Sequence, residues 1–356
     1  MRIEDIDRNF VTASLGDIKL HYIEVGTAPL QPYGLAWYEQ EKQFCRLPQA
    51  ALPSCNAGVQ ELAWHTAGAQ LRFKSDCLNL ALQVELRGPS NMAHMPASGQ
   101  SGFDLYLGSG RNKRYVKTAI PPHAADRYEA LIFSQERAEM QEFTLNFPLY
   151  NGVNKLRLGF SPGAQLAAAE PYTVSKPVLF YGSSITQGGC ASRPGNAYPQ
   201  LLAQKLDFEC LNLGFSGSAK GETLMAELIA GISLSAFVLD YDHNAPTPEH
   251  LQQTHYPFYS LIRTRQPELP IIMVSMPDVD LKPEAAELRR NIIEQSYKKA
   301  LVEGDKNVYM IDGFKLFGDT YRDACTVDSV HPNDLGFQRM AECLRPCLAR
   351  ILRLKS

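Results

Sequence analysis

The feature that most limits what this chain can fold into is a change of hydrophobic period near residue 175. Upstream, apolar side chains recur at every second position. The clearest run is Leu78-Asn79-Leu80-Ala81-Leu82-Gln83-Val84-Glu85-Leu86-Arg87, and Phe103–Leu107, Phe143–Phe147 and Leu156–Phe160 repeat it. Gly, Pro, Ser and Asn clusters separate these runs. A period of two with turns between the runs predicts antiparallel sheets that each bury one face, hence a sandwich or jelly roll. Downstream, continuous apolar runs at Pro177–Tyr181, Glu209–Leu213, Ala236–Asp240, Pro270–Ser275 and Asn307–Ile311 alternate with segments of helical spacing. Strand and helix alternating in this way predict a doubly wound parallel sheet. The expected organisation is therefore an all-β domain over residues 1–174 and an α/β domain over 175–356, joined near Ala169-Glu170-Pro171-Tyr172 with no long linker. Pro346 predicts a kink or restart in the last helix.

Composition narrows the partners. Lys plus Arg number 35 against 38 Asp plus Glu, a net charge of −3. That gives no general electrostatic reason to bind nucleic acid or an anionic membrane. The longest apolar stretch, near Leu228–Leu239, falls short of the ~20 residues that span a bilayer. The opening Met1-Arg2-Ile3-Glu4-Asp5-Ile6-Asp7 has acids where a signal peptide carries bases, so a cytoplasmic location is expected. Eight cysteines with no C-x-x-C pair read as free thiols rather than a disulfide scaffold.

In a doubly wound sheet, chemistry sits on the loops at the carboxyl ends of the strands. The first strand runs into Gly182-Ser183-Ser184-Ile185, a turn that either exposes a nucleophilic hydroxyl or is purely structural. No nucleotide-binding glycine motif is present. The second strand ends in Gly214-Phe215-Ser216-Gly217, where glycines serve a ligand's approach or a tight turn. After the third strand comes Asp240-Tyr241-Asp242-His243-Asn244, in which Asn244 either donates to an oxyanion or caps the helix near Thr247. The last loop holds Asp328-Ser329-Val330-His331. An acid three residues before a histidine can orient the imidazole, but Asp240-x-x-His243 has the same spacing, and either acid is equally a helix cap.

Taken in order, a Ser turn, a Gly turn, an Asn and an Asp-x-x-His before the final helix resemble the SGNH (GDSL-type) hydrolases over residues 175–356. Gly102-Phe103-Asp104-Leu105-Tyr106 is similar to the Gly-x-Asp-Leu-Tyr domain that precedes some members of that family. The resemblance implies a flavodoxin-like three-layer catalytic domain, with Ser184 as nucleophile, His331 as base and Asp328 as its orienting acid. It implies an oxyanion hole from the Ser184 N–H, the Gly217 N–H and the Asn244 side chain. Neither cofactor nor metal is required; Asp240, Asp242 and His243, weighed as ligands, read better as caps or supports. Two positions depart from the family pattern. Ser183 replaces the Asp before the nucleophile, which leaves the bracing of that loop to be explained, and Asp-His-Asn replaces Gly-x-Asn-Asp around Asn244.

The implied activity is ester hydrolysis through an acyl-enzyme, on a short acyl group, acetyl above all, carried by a small molecule or oligosaccharide. A lysophospholipase-like or other small-molecule esterase is one alternative. A carbohydrate-binding protein with a vestigial site is another, although such a protein has no reason to keep Ser184, Asn244, Asp328 and His331 together. The short junction also predicts that the β half docks beside the crevice, with Trp37, Trp64 or Tyr106 stacking on a sugar or serving as core.

Overall fold

The computed structural model describes residues 15–277, 280 and 282–354. The upstream alternation produces two antiparallel sheets. One has the order β1 (His21–Glu24), β9 (Val153–Phe160), β4 (Asn79–Leu86), β7 (Arg127–Ser134). The other has the order β10 (Leu166–Ala168), β3 (Gln70–Ser75), β8 (Gln141–Asn146), β5 (Phe103–Leu107), β6 (Arg114–Ala119), with β2 (Pro32–Tyr33) also paired to β3. Alternate residues of both sheets, including Leu71, Phe73, Leu82, Phe103, Leu105, Phe143 and Leu158, meet in a shared apolar interior. This is the sandwich that the period of two predicts. Among the described residues, three short helices interrupt it: α1 (Tyr38–Glu41), α2 (Ala57–Leu62) and α3 (Ala97–Gln100).

Downstream lies a five-stranded parallel sheet of β11 (Val174–Gly182), β12 (Phe208–Gly214), β13 (Ala236–Asp240), β14 (Ile271–Val274) and β15 (Val308–Ile311). Its order is β12-β11-β13-β14-β15. The chain therefore changes direction across the sheet between β11 and β13, the switch point at which open α/β sheets form their crevice. Helices α4 (Ser184–Gln187), α5 (Tyr198–Leu206), α6 (Thr223–Ala230), α7 (Pro248–Arg265), α8 (Pro283–Val302) and α9 (Asp334–Ile351) connect the strands or close the chain. Strand residues alternate between two apolar layers: Leu179 and Tyr181 pack on one face of the sheet, Val178 and Phe180 on the other. Helix α9 runs through Pro346, which does not divide it, contrary to the expected restart.

The two halves share these layers. Cys45, Leu47, Val59 and Ala63 lie in one layer with the parallel strands, while Ala67, Met95, Leu149 and Tyr150 lie in the other. Buried polar contacts cross as well. Arg46, 1% exposed, donates to the carbonyls of Asn212 (2.9 Å), Gly214 (2.7 Å) and Leu62 (2.7 Å). Lys113 pairs with Asp207 at 2.9 Å, and both side chains are almost fully enclosed. All eight cysteines are free, and five are buried.

Candidate active site

Strand β11 stops at Gly182 because the chain must turn against β13 and α4. A Cβ at Gly182 would sit 2.0 Å from Thr186 Oγ1 and 2.3 Å from the Asp240 carbonyl. Ser183 caps the helix that follows: its Oγ accepts from Ile185 N–H at 3.2 Å, and its own N–H donates to Asp240 O at 3.2 Å. A serine is as able as an aspartate to cap this turn, which answers how the loop is braced without the acid. Ser184 is the first residue of α4 and is 7% exposed.

The loop before α9 brings its own pair to the same point. Asp328 accepts from the His331 N–H (2.7 Å) and the Val330 N–H (3.1 Å) through Oδ1, and lies 2.7 Å from His331 Nδ1 through Oδ2. Partial burial works against its charge, but these hydrogen bonds and His331 itself outweigh that and hold the carboxyl below its ordinary value. With Nδ1 engaged, His331 Nε2 faces Ser184 Oγ at 3.0 Å. Asp328, His331 and Ser184 thus form one hydrogen-bonded chain, and Asp328 is not a helix cap. The cap of α9 is Asn333.

Gly217 has φ +63° with open space where a Cβ would be, so its backbone conformation is what favours glycine there. Among the described residues, the N–H groups of Ser184 and Gly217 find no protein acceptor. Asn244 spends one amide hydrogen on the Phe215 carbonyl at 2.8 Å, which ties it to the Gly217 loop and leaves the second hydrogen for a ligand. It does not cap the next helix, because Thr247 does so with its own hydroxyl. The second Asp-x-x-His has another role: Asp240 lies 4% exposed beneath the Ser183-Ser184 turn and accepts from Tyr198 Oη (2.7 Å) and Thr186 Oγ1 (3.0 Å). Burial first, then the charge of Asp242, pushes it up to about 7.

Several supports were not foreseen from the sequence. Tyr150 Oη donates to the Ser184 carbonyl at 3.1 Å. Gln187 accepts from Ser216 N–H at 3.1 Å and donates to Leu149 O at 3.0 Å, so it couples the Gly217 loop to the β half. The Gly-Phe-Asp-Leu-Tyr segment works in the same way. Asp104, fully buried, accepts from Arg193 Nη1 (2.8 Å), Gly195 N–H (2.9 Å) and Asn146 Nδ2 (2.8 Å), fixing the chain that follows the Ser184 turn. Burial raises its carboxyl in spite of Arg193. Tyr106 is buried and its hydroxyl bonds Arg193, so it is core rather than a sugar platform. Trp64 is covered by the Arg87 guanidinium, 4.6 Å from its ring centroid, and Trp37 packs on the apolar layer. A cavity of about 360 Å³ opens beside Tyr150, walled by Glu61, His65, Arg87, Asn91 and Gln100 from the β half.

These features define a class: a flavodoxin-like α/β protein with a Ser–His–Asp chain and unpaired N–H donors in its strand-end crevice. The comparisons are more particular. Residues 175–349 match the GDSL-like lipase/acylhydrolase family, and residues 20–166 match the GxDLY family, the N-terminus of SGNH-hydrolase-type esterases. The chain belongs to the GDSL-like (SGNH) family and is a carboxylic ester hydrolase. Its fold is shared with a candidate GDSL-like lipase from Bacteroides ovatus, at 28% identity and TM-score 0.85, over 95% of this chain and 99% of that one. It is also shared with the salicylyl-acyltransferase of a tetracycline biosynthetic pathway (21% identity, TM-score 0.76, 93% and 97% covered). A family two carbohydrate esterase from Cellvibrio japonicus has the same fold at 13% identity and TM-score 0.61 (94% and 98% covered). No curated protein sequence matches the chain significantly. No helix among the described residues is long and apolar enough to cross a membrane.

Proposed function

We propose that the protein removes short acyl groups, acetyl above all, from carbohydrate esters, with Ser184 as nucleophile. The observation that carries this reading is the Asp328–His331–Ser184 chain, with contacts of 2.7 and 3.0 Å, facing donors that have no other partner. Ser184 Oγ attacks the acyl carbonyl while His331 Nε2 takes its proton, and Asp328 stabilises the imidazolium that forms. The developing oxyanion is met by the Ser184 and Gly217 N–H groups and the free hydrogen of Asn244 Nδ2. These groups are already in position before the charge develops. The same proton passes to the leaving alcohol. Water, deprotonated by His331, then releases the acid and restores Ser184.

The walls beside the site support this substrate class. The cavity beside Tyr150 carries carboxylate, guanidinium, imidazole and amide groups together with Pro89, Met92 and the Tyr150 ring, a mixture that supports a sugar, whose hydroxyls and apolar ring faces both find partners there. Burial first, then Arg46 and Arg87, drop His65 to about 3, so it is a neutral hydrogen-bonding group at physiological pH. The family two carbohydrate esterase from Cellvibrio japonicus shares the fold and is named for that substrate class. The test is turnover of p-nitrophenyl acetate, butyrate and octanoate beside acetylated xylosides and glucosides. The reading expects acetate release from the sugars and a kcat/KM for acetate at least tenfold above octanoate. Preference for octanoate favours a lysophospholipase-like enzyme, and sugar binding without turnover of any ester favours a vestigial site.

A further inference from the structure

We infer that His94, Cys190 and His331 form a site for a thiophilic divalent cation such as Zn²⁺, and that a bound ion reversibly switches the enzyme off. One ligand atom from each residue lies within 4.8 Å of the other two. Tetrahedral zinc, with Zn–N of about 2.0–2.1 Å and Zn–S of about 2.3 Å, places neighbouring ligand atoms roughly 3.3–3.8 Å apart. A pair at the 4.8 Å limit closes by about 1 Å on binding, through rotation of the exposed His94 side chain and small shifts of Cys190 and His331.

The meeting of these residues is built into the packing between the halves. His94 comes from the loop between β4 and α3, and its neighbour Met95 is buried in the apolar layer that also contains Ala191. Gly99 approaches so closely that a Cβ there would sit 2.0 Å from Ala191 O, and Ser98 Oγ donates to Ser192 O at 2.6 Å. Segments 94–100 and 189–192 are thereby clamped side by side. The His94 and His331 rings have centroids 5.9 Å apart, and a Cβ on Gly189 would lie 3.3 Å from His331 Cδ2, the ring carbon bonded to Nε2. Cys190 holds a φ of +76°, a left-handed conformation that side-chain-bearing residues rarely adopt.

The ligand chemistry agrees. Histidines that bind zinc usually donate their second ring N–H to a carboxylate, which fixes the tautomer and leaves the other nitrogen's lone pair outward. Asp328 does this for His331. Cys190 is a buried free thiol whose sulfur bears a proton. On binding, that proton leaves to solvent, sulfur and the two imidazoles donate electron pairs to the ion, and water fills the fourth position. His331 Nε2 then has no lone pair left for the Ser184 proton. The loss of activity rests on the role proposed for His331; the binding itself does not.

Co²⁺ titration of the full chain separates the two. A near-ultraviolet sulfur-to-cobalt charge-transfer band saturating at one equivalent is expected. It should vanish in Cys190→Ser, weaken at least tenfold in affinity in His94→Ala, and persist in a Cys343→Ser/Cys347→Ser control. Zn²⁺ should inhibit ester turnover reversibly with a chelator. Both single variants should stay active without metal but need at least tenfold more Zn²⁺ for half-inhibition. No band, a band indifferent to Cys190, or equal Zn²⁺ sensitivity in wild type and His94→Ala would overturn the site. His94 is exposed, so that variant keeps the test open if Cys190→Ser fails to fold.

Discussion

Replacing Arg46 with Met removes a guanidinium while keeping most of the side chain's length and bulk. Arg46 makes three hydrogen bonds to main-chain carbonyls and lies over the Phe215 ring, 4.5 Å from its centroid. Burial draws its pKa down to about 9, so it is still charged at neutral pH. Leaving a buried acceptor without a donor costs ~1–3 kcal/mol, and three acceptors lose theirs. Against this, the variant no longer has to desolvate a cation, which returns part of that cost. A net loss of about 3–5 kcal/mol is expected, read as a lowered urea midpoint at unchanged m-value. Two of the three carbonyls belong to Asn212 and Gly214, at the end of β12 from which the Gly217 loop departs. A fall of roughly tenfold in kcat is therefore expected even where the variant is fully folded. Arg46→Lys should recover only part of either loss, because one ammonium cannot reach all three acceptors in the same plane. A change below about 1 kcal/mol, with kcat preserved, would refute the idea that this residue ties the halves together beneath the Gly217 loop.

His331→Ala should lower kcat by several orders of magnitude with little change in KM, whereas His243→Ala should cost far less; a stopped assay on p-nitrophenyl acetate distinguishes them. Asp240 has a folded pKa, about 7, above its unfolded value, so its contribution to stability is full below about pH 4 and is lost as pH rises through 7. Asp240→Asn should flatten that decline, worth on the order of 4 kcal/mol across the whole interval, in melting curves taken from pH 4 to 8. Residues 175–356 expressed alone should be molten or insoluble by circular dichroism and light scattering, since both faces of the parallel sheet are completed by residues from the β half.

How much of this was legible in the sequence depends on how far apart the interacting residues are. The strict alternation in β4 and the apolar runs that became β11 to β15 are local patterns, and they foretold the antiparallel sandwich and the parallel sheet. Strand-end loops converge, so their residues were the place to look, but Ser184, Gly217, Asn244, Asp328 and His331 were singled out among them by their resemblance to the SGNH blocks; the structure brings Ser184, His331 and Asp328 into one hydrogen-bonded chain. The supports could not be picked out in that way. Arg193 meets Asp104 across 89 positions and Arg46 meets Gly214 across 168, and no spacing rule connects such pairs. Tyr106 and Trp64 read from the sequence either as core residues or as a sugar platform. Only the structure shows that a guanidinium already engages each of them. Ser183 stood out as a departure from the family pattern, yet its hydroxyl performs the capping that the turn requires.

The central claim, that Ser184 is the nucleophile of a hydrogen-bonded relay through His331, is tested most directly by covalent labelling with a fluorophosphonate, followed by peptide mass mapping. The account predicts a single adduct on Ser184 in the wild type, an unchanged adduct in Ser183→Ala, none in Ser184→Ala, and labelling slowed by orders of magnitude in His331→Ala. An adduct that survives Ser184→Ala and disappears in Ser183→Ala would contradict it.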